Sequence, residues 1–283
     1  MIVVTGANGQ LGQLVIQSLL RSVPASQIVA AVRQPAKAAG LAALGVQVRE
    51  ADYNRPDTLD AAFAGADKVL LISSSEVGQR QPQHQNVIDA AVRAGVKLLA
   101  YTSLLRADTS PLGLAAEHLA TERALKASGL PHVLLRNGWY TENYLASVPA
   151  ALAHGALIGS AGDGRIASAA RADYADAAAA VLTQPDQAGK VYELAGDSAY
   201  TLAELAAELS QATGKTVPYV NLPEADFKGA LLQAGLPGPI AELLANSDAG
   251  AAQGGLYDGS GQLGRLIGRP TATLATLLRA SLA

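Results

Sequence analysis

The sequence predicts an α/β fold, a doubly wound parallel sheet followed by a smaller α+β C-terminal domain. Three observations predict it. Strand-like and helix-like segments alternate through the first half. Several strand segments, such as DKVLLISSS and VKLLAYTS, are near-continuous apolar runs, as burial on both faces of a parallel sheet requires. The first strand, IVVTG, breaks into glycines and opens a stretch with apolar Leu11, Leu14, Val15 and Leu19, which is helical spacing. Alternation of this kind builds right-handed βαβ units.

The elements follow in order. After the first strand and helix, QIVAAVR reads as a strand, PAKAAGLAALG as a helix with Pro35 in its first turn, and VQVREADY as a strand. PDTLDAAFAG is a short helix and DKVLLISSS the fourth strand. QHQNVIDAAVRAG is a helix, VKLLAYTS the fifth strand, residues 113–128 a helix and PHVLLRNGWY the sixth strand. After residue 145 the rhythm changes. ADYADAAAAVLT reads as a helix with Asp173 near its start, and KVYELAG as a further strand. TLAELAAELSQATG carries a capping box, Thr201 as N-cap and Glu204 three residues on, with Gly214 as the stop. LPEADFKGALLQAG and LPGPIAELLA are punctuated helical pieces, GAAQGGLYDGSGQLG a Gly-rich loop, and TATLATLLRASL a last helix. The expected domains are 1–145 and 146–283, with later segments free to return to the first.

Composition narrows the function classes. With 283 residues and 49% hydrophobic content the chain can bury a sizeable core. Aromatics are only 4%, so that core is built from small and aliphatic side chains. A net charge of -3 without a basic stripe argues against nucleic acid as a partner. The absence of cysteine excludes disulfides, thiolate metal sites and a cysteine nucleophile. The histidines show no metal-ligand spacing, so no metal site is expected. No window reaches about 18 apolar residues, and the N-terminus lacks a signal-peptide pattern. A soluble cytoplasmic protein is expected.

Gly6, Gly9 and Gly12 stand three apart between strand and helix. Glycine lets a backbone approach phosphate without a Cβ, and a helix N-terminus offers free N–H groups and a positive dipole end. The spacing is G-x-x-G-x-x-G rather than the more usual G-x-G-x-x-G, and the following βαβ unit is what points to a dinucleotide on a Rossmann-type sheet. The loop contacts are assigned to Gly6, Asn8, Gly9, Gln10, Leu11 and Gly12. An NAD-preferring site places an acid about 20 residues past the loop to hold the ribose 2′-OH. The second strand ends instead in Arg33, with Lys37 shortly after, and two cations suit a 2′-phosphate. NADP(H) is therefore the expected cofactor. Ligands bind at the carboxyl ends of parallel strands. That places Asp52 and Tyr53 beside the adenine, and Ser73, Ser74 and Ser75 on the ribose and phosphates.

TGANGQLG with Arg33, the AYTS strand end, LLRNGWYTENY and the ADYADAAAAVL helix together resemble the NmrA-like atypical short-chain dehydrogenase/reductases. The runs LLISSSEVGQR, YTSLLRADTSPLGLA, LLRNGWYTENYLAS and VYELAGDSAYTL are similar to the bacterial type 2 NAD(P)H:quinone oxidoreductases. The resemblance implies NADPH-dependent reduction of a small-molecule quinone, on a Rossmann domain with a small C-terminal domain that closes over the cleft. A second copy of the chain is the other partner left open.

Relatives with carbonyl chemistry carry Tyr-x-x-x-Lys and then a glutamate four residues on. Glu122 fits that glutamate, which puts His118 at the Lys position and Leu114 at the Tyr position. Ser103 matches the third member in place only. Alcohol dehydrogenase, epimerase and dehydratase readings each need a positioned proton acceptor that is missing. A quinone is already electrophilic, so positioning suffices. His118 is either a ligand of the nicotinamide ribose or a half-exposed helix residue. Asn137, Gly138, Trp139, Tyr140, Thr141, Glu142 and Asn143 would lie over the nicotinamide. Asn143 would steady the carboxamide or a quinone oxygen. Trp139, Tyr140 and Tyr144 would stack on a flat substrate or, on the plainer reading, pack the two halves together. The catalytic assignments are Asn143, His118 and Tyr144. The missing Tyr and Lys also allow an NADP(H)-sensing regulatory protein without turnover.

Overall fold

The computed structural model describes residues 1–283. The chain runs β1 (Ile2–Thr5), α1 (Gln10–Leu19), β2 (Ile28–Val32), α2 (Ala39–Ala43), β3 (Gln47–Glu50), α3 (Pro56–Phe63), β4 (Lys68–Leu71), α4 (Arg80–Arg93), β5 (Leu98–Leu104), α5 (Ala115–Ser128) and β6 (His132–Asn137). It continues through α6 (Thr141–Leu145), α7 (Val148–His154), β7 (Leu157–Gly159), α8 (Arg171–Thr183), β8 (Val191–Leu194), α9 (Leu202–Thr213) and β9 (Tyr219–Asn221). It ends in α10 (Glu224–Gln233), α11 (Gly238–Ala252), α12 (Gln262–Ile267) and α13 (Leu274–Leu282).

The main sheet has seven strands in the order β3-β2-β1-β4-β5-β6-β8. Pairings from β3 through β6 are all parallel. Every residue of β2 and β5 is buried, which suits the apolar β2 and the run Leu98–Tyr101 of β5, where Thr102 and Ser103 are the buried polar exceptions. The edge strand β3 carries exposed Gln47 and Glu50, the polarity an edge needs. The order reverses direction between β1 and β4, and a ligand crevice opens at such a switch point. No helix is long and apolar enough to cross a membrane.

Two compact units divide the chain. The first comprises 1–104, 116–137 and 171–192, and the second 105–115, 138–170 and 193–283. Residues 171–192 lie in the first unit, from beyond residue 145, while 105–115 and 138–145 lie in the second. Helix α8 belongs to the first unit, where its small Ala175, Ala177, Ala178 and Ala179 are buried and allow close approach to α1. Ser18 of α1 donates to Asp176 at 2.8 Å, and Arg21 pairs with the same carboxylate. In the second unit β7 and β9 form a short parallel pair.

Several local expectations change: the third strand stops at Glu50 rather than Tyr53, and the sixth at Asn137 rather than Tyr140. The helix predicted over 35–45 splits into a 3₁₀ turn, Pro35–Lys37, and the five-residue α2. Ala38 between them is buried, and its backbone, at φ -106 and ψ 22, leaves the helical region and separates the two pieces. The fourth strand stops at Leu71 rather than running to Ser75. Beyond it the Ser73 and Ser74 amides donate to side chains instead of to a neighbouring strand. The Gly-rich stretch 250–264 is partly helical, holding the end of α11 and the start of α12.

Candidate cofactor-binding site

The glycine loop is shaped for close approach. Gly6 has φ +58, the left-handed region that glycine tolerates. A Cβ on Gly12 would fall 2.5 Å from the Gly6 carbonyl oxygen and 2.6 Å from the Ala7 Cα. The Ala7 amide donates to the Ala31 carbonyl at 3.2 Å, tying the loop to β2. No side chain caps α1 and its first turn carries no acid, so the amides of its first turn and the positive dipole end suit an anion. Asn8 is exposed and its carbonyl accepts from Gln13 at 2.9 Å. Behind the loop the Tyr53 hydroxyl lies 2.5 Å from Thr5 Oγ1 and donates to the Ile72 carbonyl at 2.8 Å. Tyr53 therefore braces the loop. Asp52 turns its carboxylate to the Asn54 amide at 2.9 Å.

The residues after β4 form a fixed shelf. The Ser73 amide donates to Thr102 Oγ1 at 2.8 Å, and the Ser74 amide to His84 Nε2 at 2.9 Å. The Ser74 carbonyl accepts from Arg80 Nε at 2.6 Å. His84 Nε2 thus carries no proton, so Nδ1 donates to Thr121 Oγ1 at 2.9 Å. His118 is buried at 5% exposure rather than half-exposed, and its Nδ1 shares a 2.8 Å hydrogen bond with the Tyr101 hydroxyl. Burial, with the nearby Arg80 charge second, pushes both His84 and His118 down to about 3.

Other predicted residues are committed elsewhere. The Ser103 hydroxyl donates to Glu122 at 2.5 Å, and Arg136 grips the same carboxylate through Nε at 2.9 Å and Nη2 at 2.7 Å. All three are buried. Lys37 is exposed on the 3₁₀ turn, while Arg33 pairs with Glu76 at 2.7 Å. Asn137, at the end of β6, is buried and its Oδ1 has no donor, which fits an N–H or O–H of a ligand.

In the second unit, Thr141 Oγ1 is tied to Ser168 at 2.7 Å and Ser168 to Tyr200 at 2.6 Å. The Tyr144 hydroxyl donates to the buried Asp248 at 2.9 Å, and the Ser160 amide to the other Asp248 oxygen at 2.9 Å. Trp139 and Tyr144 are both buried, with ring centroids 6.4 Å apart. The Gly138 amide donates to the Leu194 carbonyl at 2.7 Å, and the Thr141 amide to the Ala169 carbonyl at 3.0 Å. Tyr140 forms an isolated bridge with Ala169. Its carbonyl accepts from the Asn143 amide at 3.0 Å. Glu142 lies in the first turn of α6.

Residues 6–185 match the family described as NAD(P)H-binding. The chain belongs to that family. Across 275 residues it is 64% identical to quinone oxidoreductase 2 of Escherichia coli, covering 97% of this chain and 96% of the relative. Its structure superposes with TM-score 0.98 and 62% identity on an NADPH-dependent quinone oxidoreductase from Escherichia coli complexed with NADPH, over 100% of each chain. It is also similar to the triphenylmethane reductase of Citrobacter complexed with NADP(H), with TM-score 0.95, 41% identity and coverage of 99% and 100%.

In this NAD(P)H-binding protein the braces behind the shelf leave weaker traces in sequence than the glycine loop does. His84 shares the spacing i, i+3, i+4 and i+7 with Val87, Ile88 and Ala91, all buried, and that pattern alone could have marked it as inward-facing. Gln83, Glu117 and Asp248 carry no local signal.

Because both histidines are neutral in the fold, stability is linked to pH. An unfolded histidine protonates near 6.5. Between about 6.5 and about 3 the unfolded chain binds more protons, so stability is full above that window and falls as pH drops through it. At about pH 5 each histidine should remove on the order of 2 kcal/mol. Urea denaturation at about pH 7.5 and about pH 5 checks this, and equal stabilities would contradict it.

Proposed function

We propose that this chain is an NADPH-dependent quinone oxidoreductase. The observation that carries the reading is the 64% identity to quinone oxidoreductase 2 over nearly the whole of both chains. The same likeness favours an enzyme over a cofactor-sensing regulator.

When bound, NADPH supplies a hydride from its nicotinamide C4, and the quinone accepts both electrons. The chain's own residues then mainly bind and orient. The amides of Gln10, Leu11 and Gly12 take the pyrophosphate at the start of α1, while the Gly9 amide closes the turn onto the Gly6 carbonyl. Arg33 takes the ribose 2′-phosphate with its guanidinium fork. The shelf of Ser73, Ser74 and Ser75 supports the ribose and phosphates from the end of β4. Asn137 Oδ1 accepts from the cofactor.

His118 meets the nicotinamide ribose through Nε2, since Nδ1 is engaged by Tyr101. Asn143 steadies the carboxamide or a quinone oxygen, and Tyr144 offers its ring while Asp248 holds its hydroxyl. Nothing at the Tyr-x-x-x-Lys positions is poised as a proton acceptor, since Leu114 is apolar and burial lowers the basicity of His118, and Ser103, the third member, is bound to Glu122. A quinone suits that arrangement, because the hydroquinone anion can be protonated by water.

The test mixes purified protein, NADPH and a simple benzoquinone and follows loss of NADPH absorbance. Turnover well above the uncatalysed rate is expected. A rate equal to that background would sink the proposal and restore the regulatory reading.

A further inference from the structure

Arg33 does not stand alone at the end of β2. Its Nη1 donates to Glu76 Oε1 at 2.7 Å, across 43 residues of chain. The other oxygen, Oε2, accepts from Gln83 Nε2 at 2.7 Å. Gln83 is 2% exposed on α4, so this anchor is rigid. The Glu76 amide donates to Ser74 Oγ at 3.1 Å, tying the same residue to the serine shelf. The carboxylate is thus aimed at the guanidinium by its neighbours. The Gln83 bond, and then the Arg33 bond, hold it below the usual glutamate range, so it is ionised at neutral pH.

We propose that Glu76 is a specificity-determining residue whose carboxylate competes with the ribose 2′-phosphate for Arg33 and so tempers the preference for NADPH over NADH. The proposal rests on Arg33 reading that phosphate. A 2′-phosphate needs the guanidinium that Glu76 already holds, and it brings like charge beside the carboxylate. A 2′-hydroxyl makes no such demand. It can donate to a Glu76 oxygen while the ion pair persists. NAD-preferring sites place an acid at the end of the second strand for that hydroxyl. In this chain an acid reaches the same neighbourhood from the loop between β4 and α4. Side-chain exposures of 61% for Arg33 and 41% for Glu76 make the pair readily displaced. The competition therefore shifts affinity without abolishing NADPH binding.

Calorimetry with adenosine 2′,5′-bisphosphate and 5′-AMP separates the terms without any quinone. Glu76→Gln removes the charge and keeps the shape. It should tighten 2′,5′-bisphosphate binding about two- to fivefold, the range of an exposed ion pair, and leave 5′-AMP binding unchanged or weaker. The gain should shrink in an Arg33→Ala background, where only the relief of like charge is left. Unchanged or weaker bisphosphate binding overturns the proposal. So does an equal gain for 5′-AMP, or a gain undiminished by loss of Arg33. If the unmodified protein binds the two nucleotides equally, the 2′-phosphate reading of Arg33 falls and this proposal with it. Quinone turnover enters none of these readouts, so failure of the reductase proposal is seen separately.

Discussion

Replacing Glu122 by alanine is expected to remove about 3–5 kcal/mol of folding stability. The carboxylate is 7% exposed and receives Arg136 through two guanidinium nitrogens and Ser103 through its hydroxyl. Alanine would leave the Arg136 charge buried, at 9% exposure, without its anion. Water cannot replace the lost partner cheaply at that depth, so the desolvation penalty stands uncompensated. Ser103→Ala removes a single donor and should lose only about 1 kcal/mol. Glu122→Gln keeps the shape and one acceptor oxygen and should fall between the two. Urea denaturation at neutral pH gives the ranking. A Glu122→Ala protein within about 1 kcal/mol of the parent would show that the triad is not what holds α5 against β5 and β6.

Replacing Gly12 by alanine is expected to weaken NADPH binding at least tenfold, about 1.4 kcal/mol. The same change should destabilise the fold by about 1–3 kcal/mol through overpacking. The added Cβ would meet the Gly6 carbonyl oxygen at 2.5 Å, the Ala7 Cα at 2.6 Å and the Ala7 carbonyl carbon at 2.9 Å. All three are backbone atoms, so no side chain can swing aside. Relief requires moving the loop, and the loop is what places the amides at the start of α1. Gly9→Ala makes a useful comparison, because its Cβ would stand 3.2 Å from the Gly6 oxygen. That contact yields to a shift of a few tenths of an ångström, so Gly9→Ala should be the milder variant. Calorimetric titration with NADPH decides the order. Equal binding by Gly12→Ala and the parent would refute the role given to the loop.

Features set by neighbours in the chain were legible from the sequence. The capping box is one: the Glu204 amide donates to Thr201 Oγ1 at 3.1 Å, and the Thr201 amide to Glu204 Oε2 at 2.7 Å. Both bonds join residues three apart, so spacing suffices to find them. The inner strands of the main sheet, such as β2 and β4, were legible for a similar reason, since two-sided burial writes an apolar run. Strand ends were harder. Ser73 and Ser74 leave the ladder because Thr102 and His84 supply partners that no local pattern announces. His118 was harder still. A histidine on a helix of weak amphipathic character can face either way, and only the Tyr101 hydroxyl waiting inside turned it inward.

The sequence by itself determined the order of the sheet-forming segments, the glycine turn at Gly6, Gly9 and Gly12, and the cation at Arg33. Each depends on backbone geometry or side-chain type within one βαβ unit. Tertiary structure alone decided what those groups face. It set Glu76 against Arg33, Glu122 against Arg136, Tyr53 behind Gly6 and His84 under Ser74. These partners lie from 10 to 47 residues apart in the chain, and what joins them is parallel strand pairing, which brings the ends of β1, β2, β4 and β5 side by side. Hydrogen bonds and ion pairs act over a few ångströms of space. Sequence spacing reports them only where the chain itself stays that close.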